Sequence, residues 1–205
     1  MIRITAGEFK GRKLKTPKGL STRPSPARLR EALFDVLGRA VEGCLFFDLF
    51  AGSGAVGLEA LSRGAARAIF VECARDPIAT IRENLAILGC ADRANCLPHR
   101  LPGWFGSPAW TSFCRGEAPV VFFLDPPFQQ NLALATMEAL ARATSQDRLK
   151  PALPTSQVSG GVVLGACAAQ TEKKAVLADA YGPWRLRKRY PHGDSALWFY
   201  DVEQE

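Results

Sequence analysis

The sequence lacks any apolar run approaching the roughly 18 residues that a membrane-spanning helix needs. Its first residues also lack the apolar stretch and small-residue cleavage site of a secretion signal. The 205 residues are 47% hydrophobic and 22% charged, a composition typical of a globular protein in water. These features exclude the membrane classes and predict one cytoplasmic domain with a short appendage.

Residues that bind metals or form disulfides are sparse and scattered. The chain has two histidines, and its six cysteines form no C-x-x-C pair. This spacing argues against a zinc site or a disulfide framework. We therefore expect no metal and interpret the cysteines as buried thiols. They are Cys44, Cys73, Cys90, Cys96, Cys114 and Cys167.

The positive charge is concentrated at one end of the chain. The net charge is +6, and residues 1–39 carry ten Lys or Arg against three Asp or Glu. The remaining residues are close to neutral, with 16 basic and 17 acidic side chains. A basic segment on a near-neutral protein is typical of proteins that neutralise phosphates, although a solubilising surface explains the charge equally well.

Apolar segments alternate between strand and helix patterns from about residue 44 onward. Repeated β-α units of this kind predict an α/β fold, with a mainly parallel sheet covered by helices on both faces. Ligands of such sheets collect beyond the carboxyl ends of the strands. The expected strands are 44–49, 68–72, 94–97, 120–125 and 161–166, the expected helices are 55–63, 77–88 and 131–143, and an antiparallel pair at 184–190 and 195–201 closes the sheet.

Helix 77–88 carries end signals: Asp76 is the expected N-cap and Gly89 the expected stop.

Ahead of the sheet, we expect residues 2–14 to form a hairpin, and Ser25-Pro26 predicts the start of a helix. The apolar stripe of that helix is Leu29, Leu33, Val36 and Leu37. We divide the chain into a basic N-terminal extension, 1–40, and a main domain, 41–205. The loops at 98–117 and 145–160 give no structural prediction.

A glycine-rich loop follows the first predicted strand of the sheet. Gly52, Gly54 and Gly57 fit G-x-G-x-x-G, and Glu72 ends the next strand. The glycines let the backbone pass close to a ligand, and Glu72 can accept hydrogen bonds from both ribose hydroxyls. This pattern alone fits a dinucleotide, S-adenosylmethionine, or a turn without a ligand.

Asp48 separates the two cofactors, because it places a carboxylate at the tip of the strand before the loop. A dinucleotide lays its pyrophosphate here, and a second negative charge would oppose it. S-adenosylmethionine instead brings a cationic ammonium and a sulfonium. The charge of Asp48 therefore favours the methyl donor.

A rigid turn, Asp125-Pro126-Pro127-Phe128, follows the strongest strand signal. The prolines hold the chain extended, so the Asp125 carboxylate and the Pro126 carbonyl could accept the two N–H groups of an exocyclic amine and aim its lone pair at a methyl group. Phe128 offers a stacking face for a flipped or unpaired base. The alternative is a tight Pro-Pro turn with a buried Phe.

These motifs resemble a known family. The run Asp48-Leu49-Phe50-Ala51-Gly52-Ser53-Gly54 and the turn at Asp125 look like the signature of the RsmD family of bacterial 16S ribosomal RNA guanine-N2 methyltransferases. The resemblance begins at Arg3-Ile4-Thr5-Ala6-Gly7-Glu8-Phe9-Lys10-Gly11-Arg12-Lys13-Leu14, continues through Arg23-Pro24-Ser25 and Arg30-Glu31-Ala32-Leu33-Phe34, and resumes at Tyr190 and Gly193 to Leu197.

The resemblance implies a Rossmann-like class I methyltransferase with a seven-stranded sheet, acting on ribosomal RNA or the small ribosomal subunit. We expect it to act as a monomer. It implies that S-adenosylmethionine is held by Asp48, Gly52, Gly54 and Glu72, and we add Phe50 and Arg100 to the predicted cofactor site. It implies that the target guanine is held by Asp125, Pro126, Pro127 and Phe128. It implies that RNA is bound by Lys10, Arg12, Lys13, Arg23, Arg28 and Arg30.

The chain departs from the family pattern at Ala27, where an Asp is usual, and at Pro98-His99-Arg100, where an acidic residue often faces the adenine. The stretch 148–160 is longer than expected, and Pro191-His192 is an insertion in the C-terminal motif. Three other functions fit the same residues. They are methylation of adenine N6 or a glutamine amide, non-catalytic RNA binding during ribosome assembly, and a dehydrogenase that binds NADH.

Overall fold

The computed structural model describes residues 2–17, 27–107, 110, 113, 118–127, 131–146, 150–151 and 163–202. The chain forms two compact units, Met1–His99 and Arg100–Glu205. In the described residues, no helix combines the length and apolarity needed to cross a membrane. The same residues contain no group of three or more His, Cys, Asp or Glu positioned to hold a metal ion.

The first unit contains three parallel strands in the order β5-β4-β3. Its strands are apolar runs in which Phe46, Phe47 and Ile69 are fully buried. The elements in chain order are β1 (Ile2–Arg3), β2 (Lys13–Leu14), α1 (Ala27–Leu37), β3 (Leu45–Leu49), α2 (Ala55–Ser62), β4 (Arg67–Glu72), α3 (Arg75–Leu88) and β5 (Ala94–Pro98). The predicted β-α-β-α-β order of this region is confirmed.

One predicted helix cap is wrong. Helix α3 begins at Arg75, after the N-cap residue Ala74, and no side chain caps it. Asp76 lies inside the first turn, where a carboxylate still interacts favourably with the positive end of the helix dipole. The predicted stop is confirmed, because Gly89 ends the helix with φ of 71°, a conformation that glycine adopts without steric cost.

The N-terminal hairpin is part of the first unit. β1 and β2 pair antiparallel, as predicted. Ile4 and Phe9 are buried in one core with residues of α2 and α3, such as Leu58 and Ile81. The compact units therefore divide at His99/Arg100, and the division at 40/41 remains a prediction about function.

Helix α1 packs through its predicted apolar stripe. Leu29, Leu33 and Leu37 are buried, and Val36 is half-buried. Phe34, which the stripe did not include, is also buried and lies 6.1 Å from the Phe46 ring. The residues predicted to open this helix, Ser25-Pro26, lie outside the described residues.

The second unit contains a mixed sheet with the strand order β6-β8-β11-β10-β9. β6 and β7 run parallel to β8, whereas β8, β11, β10 and β9 pair antiparallel in turn. The elements are β6 (Pro119–Leu124), α4 (Leu132–Gln146), β7 (Lys150–Pro151), β8 (Val163–Glu172), β9 (Ala180–Tyr181), β10 (Trp184–His192) and β11 (Ser195–Val202). The predicted C-terminal antiparallel pair is confirmed, and the two-residue strands β7 and β9 were not predicted.

Aromatic rings fill the core of the second unit. Phe122 lies 5.9 Å from Trp110 on one side and 5.9 Å from Trp184 on the other, between ring centroids. The Trp184 indole donates a hydrogen bond to Thr144 Oγ1 at 3.2 Å, so its polar atom is satisfied in the core. Trp110 comes from the loop 98–117, which gave no prediction.

Candidate functional site

The loop between β3 and α2 holds an unusual backbone. Phe50, Gly52 and Gly54 have positive φ angles of 66°, 53° and 75°. Glycine tolerates this region, whereas a non-glycine residue there is uncommon and is typical of functional sites. The amides of Phe50 and Ala51 both donate to the Val71 carbonyl, at 3.0 and 3.1 Å, and these bonds fix the turn.

The glycines of the loop have different structural roles. A Cβ on Gly57 would lie 2.4 Å from Phe70 Cε1, and a Cβ on Gly54 would lie 2.9 Å from Ile81 Cγ1. Both glycines therefore allow close packing. A Cβ on Gly52 would meet only the Phe50 carbonyl oxygen, at 4.0 Å, so Gly52 leaves open space above the loop.

Asp48 holds the loop from inside. Its carboxylate is 2% exposed and its Oδ2 accepts a hydrogen bond of 2.8 Å from the Gly57 amide, in the first turn of α2. A dinucleotide pyrophosphate would need such helix amides for itself. This internal bond strengthens the argument against a dinucleotide, because the Gly57 amide is already paired with a carboxylate.

Glu72 is held by three backbone amides. Its Oε2 accepts from Gly52 at 3.0 Å, and its Oε1 accepts from Cys73 at 2.8 Å and Ala74 at 2.9 Å. The side chain is half-buried, so part of the carboxylate remains accessible. Oε1 already accepts two hydrogen bonds, whereas Oε2 accepts one and can accept a second from a ligand hydroxyl.

The turn predicted to bind the base begins where β6 ends, at Leu124. Asp125 is half-buried, Pro126 is buried and Pro127 is exposed. Phe128, the predicted stacking residue, lies outside the described residues. Arg100, predicted to bind the cofactor, is exposed at the start of the second unit.

The predicted RNA-binding residues differ in exposure. Lys10, Lys13 and Arg28 are exposed. Arg12 is exposed, and its Nη2 donates to the Ile87 carbonyl at 2.8 Å. Arg23 lies outside the described residues.

Arg30 has a different environment from the one expected of a residue that binds RNA. Its side chain is 3% exposed, and its Nη2 donates to the Arg3 carbonyl at 2.8 Å. Burial lowers the pKa of its guanidinium, and the nearby Glu59 carboxylate partly opposes this shift. The structure therefore gives Arg30 an internal role, joining α1 to the hairpin.

Glu59 is a structural centre that no sequence motif indicated. Its carboxylate, fully buried on α2, accepts from the Thr5 amide at 2.9 Å, Thr5 Oγ1 at 2.6 Å, the Ala6 amide at 3.0 Å and Arg63 Nε at 3.0 Å. Gly7 passes so close to this helix that a Cβ would lie 1.8 Å from the Ser62 carbonyl oxygen. The sequence signal that could have indicated this centre is a glutamate within the apolar run 55–61, because a charge buried in such a helix needs partners.

The cysteines of the described residues differ in burial. Cys44, Cys90 and Cys167 are buried, whereas Cys96 is half-buried and Cys73 is exposed. The prediction of buried thiols is therefore wrong for Cys73, which lies in the loop after Glu72. Cys114 lies outside the described residues.

Solved structures of methyltransferases superpose on this chain. yhhF from Escherichia coli superposes with a TM-score of 0.74 at 28% identity, over 98% of both chains. An RNA methyltransferase from Salinibacter ruber, solved with S-adenosyl-L-homocysteine, superposes with a TM-score of 0.56 at 16% identity, over 89% of this chain and 95% of that chain. The fold is that of a class I, Rossmann-like, S-adenosylmethionine-dependent methyltransferase.

The sequence comparisons show which family the chain belongs to. Residues 2–201 match the family described as Conserved hypothetical protein 95. Ribosomal RNA small subunit methyltransferase D of Escherichia coli strain K12 is 37% identical over 139 residues, 68% of this chain and 66% of the relative. The chain belongs to this family, the RsmD family of methyltransferases.

Proposed function

We propose that this protein transfers a methyl group from S-adenosylmethionine to the exocyclic N2 amine of a guanine in small-subunit ribosomal RNA. The curated relatives carry the substrate in their name, ribosomal RNA small subunit methyltransferase D. The observation that carries the proposal for this chain is the Glu72 carboxylate, fixed by three amides next to the open face of Gly52.

The loop fits S-adenosylmethionine by its shape and its donor set. Gly52 leaves room for a ligand, and Glu72 Oε2 retains acceptor capacity for a ribose hydroxyl. Asp48 gives the loop a negative charge that suits a cationic ligand, and Phe50 and Arg100 complete the proposed cofactor set. The cofactor, when bound, supplies an electrophilic methyl group on a sulfonium.

The turn after β6 binds the base in this proposal. Asp125 and the Pro126 carbonyl accept the two N–H groups of the guanine amine, and Pro127 keeps the chain extended. Phe128 stacks on the flipped base. The cofactor would give its methyl group to the guanine nitrogen and leave as S-adenosylhomocysteine, and Asp125 would accept the proton that nitrogen loses.

Exposed cations of the N-terminal segment bind RNA phosphates. Lys10, Lys13 and Arg28 are exposed, and Arg12 keeps its charge at the surface. Arg23 remains part of the proposal, whereas Arg30 is assigned to the internal contact described above. We propose that residues 1–40 form this RNA-contacting extension, and that the protein acts in the cytoplasm as a monomer on the small ribosomal subunit or its RNA.

Methylation of small ribosomal subunits that lack the modification tests the proposal. The particles are incubated with cofactor labelled in its methyl group, and the RNA is digested to nucleosides. We expect labelled N2-methylguanosine with the wild-type protein. Asp125→Ala should abolish transfer while the affinity for S-adenosylmethionine stays nearly unchanged, because the partner of Asp125 is the base. Asp92→Ala, an exposed carboxylate in the 3-10 turn before β5, is the matched control.

Other outcomes point to the alternatives. Labelled N6-methyladenosine, or label in protein, would change the acceptor. Binding of NADH instead of S-adenosylmethionine would make the chain a dehydrogenase. RNA binding without any cofactor binding would leave a non-catalytic assembly protein.

A further inference from the structure

Strand β10 carries an exposed basic edge in the second unit. β10 pairs along its length with β11, but β9 pairs only with its first two residues, Trp184 and Arg185. Within the described residues, no strand pairs the outer edge of β10 from Arg187 to His192. Its residues are exposed or half exposed, and we name the stretch from Arg187 to His192 the β10 edge.

The charge of the β10 edge is of one sign. Arg187, Lys188 and Arg189 are consecutive and exposed. Lys173 and Lys174, also exposed, follow the end of β8. The net charge of residues 40–205 does not reveal this cluster, because acidic residues elsewhere in that segment balance it.

Two of these guanidinium groups are held in place. Arg189 donates to the Lys173 carbonyl at 2.6 Å and lies over the Trp198 ring, 4.7 Å from its centroid. Arg187 pairs with Asp201 at 3.2 Å, with both side chains nearly half exposed. An anchored arginine loses less conformational freedom when it binds an anion, but the Asp201 carboxylate offsets the charge of Arg187.

An aromatic pair lies next to the cations. The rings of Tyr190 and His192 are stacked, with centroids 6.3 Å apart and planes 13° apart, and both side chains are half exposed. Lys188 projects to the same side of the strand as these rings, because side chains alternate along a strand, whereas Arg189 projects to the opposite side, over Trp198. Stacked rings beside cations are the chemistry that binds unpaired bases and the phosphates between them.

We propose that the β10 edge is a second RNA-binding surface, which takes a single-stranded segment of the substrate RNA by stacking a base near Tyr190 and His192 and pairing a phosphate with Lys188 on the same side of the strand. The proposal rests on the proposed function, since it assigns part of the same substrate. Charges on an edge strand also prevent edge-to-edge association. The aromatic pair is the feature that this protective role does not explain.

The test measures binding of a fluorescein-labelled oligouridylate by anisotropy at several salt concentrations. Lys188→Gln should lower the slope of log affinity against log salt by about 0.7, the value for one phosphate contact with a single strand. Tyr190→Ser should weaken binding about tenfold because it removes the stacking ring, and Tyr190→Phe should restore it. Arg142→Gln on α4 removes an equal charge from an exposed site and is the control.

Three outcomes would overturn the proposal: a Lys188→Gln slope equal to that of Arg142→Gln, no rescue by Tyr190→Phe, or unchanged binding accompanied by self-association of Lys188→Gln in light scattering. The last would assign the charges to edge protection. S-adenosylmethionine affinity and methylation of subunits are measured on the same samples. Wild-type protein that fails to methylate RNA, but binds oligouridylate through Lys188 and Tyr190, would refute the proposed function and retain this surface.

Discussion

The buried Asp48 carboxylate accepts a hydrogen bond from the Gly57 amide, with 2.8 Å between Oδ2 and N. This bond links the end of β3 to the start of α2, across the glycine loop. Asp48 therefore combines two functions, a structural bond and a negative charge, and two substitutions separate them.

Asp48→Ala leaves the buried Gly57 N–H without its acceptor, which should lower the free energy of unfolding by about 1–3 kcal/mol and weaken S-adenosylmethionine binding at least tenfold. Asp48→Asn keeps an oxygen for Gly57 but removes the charge. It should regain most of the stability and little of the affinity. Thermal unfolding and titration calorimetry measure the two quantities. Full recovery of affinity in Asp48→Asn would show that charge does not select the cofactor.

Gly57→Ala should chiefly lower stability, whereas Gly52→Ala should chiefly lower cofactor affinity. A Cβ on Gly57 would clash with the Phe70 ring at 2.4 Å, so Gly57→Ala should lower stability by about 1–3 kcal/mol. A Cβ on Gly52 meets open space, and Gly52→Ala should chiefly lower cofactor affinity, with about 1 kcal/mol of backbone strain from its φ of 53°. Urea unfolding of the two variants, beside calorimetric titration, compares them. Equal losses of stability would remove the distinction.

Glu59 should contribute more to stability than an exposed glutamate does. Glu59→Gln removes a charge that accepts bonds from Thr5, Ala6 and Arg63 in a fully buried position, and we expect a loss of about 2 kcal/mol or more. Glu83→Gln is the matched control, because its pair with Lys15 is over half exposed and contributes under about 1 kcal/mol. Urea unfolding measures both. A similar small loss in both variants would contradict a structural role for Glu59.

The strands and helices of the first unit could be predicted because each is a local pattern of apolar residues with a glycine or charge at its end. The buried positions of charged residues could not. Arg30 lies on the buried face of α1 because the Arg3 carbonyl and the Glu59 carboxylate, distant in sequence, are its neighbours. The basic β10 edge could not be predicted for a related reason. The net charge of a sequence segment does not show which cations share the edge of a sheet, because strand pairing decides that.

Salt dependence should divide the N-terminal cations into two groups. A triple variant removes three exposed charges by Lys10→Gln, Lys13→Gln and Arg28→Gln. It should reduce the slope of log affinity for the RNA against log salt, by about one for each phosphate that is no longer neutralised. Arg30→Gln removes a buried group and should lower stability instead. Filter binding over a salt series and urea unfolding measure the two effects. An unchanged slope in the triple variant would make these charges a solubilising surface.

Two cysteines should differ in their reactivity with iodoacetamide, because only the thiolate reacts. Burial raises the pKa of Cys44 to about 12, so its thiol stays protonated in the folded protein at pH 8. Folding raises this pKa, so the protonated Cys44 thiol makes a contribution to stability that depends on pH. That contribution is complete below the ordinary pKa of cysteine and is lost as the pH rises towards 12. Cys73 is exposed beside Glu72 and should be alkylated at pH 8, more slowly with saturating S-adenosylmethionine. Peptide mass spectrometry follows both sites, with Cys73→Ser as control. Alkylation of Cys44 at the rate of Cys73 in the native protein would contradict its burial, and a Cys73 rate unaffected by the cofactor would place the ligand away from Glu72.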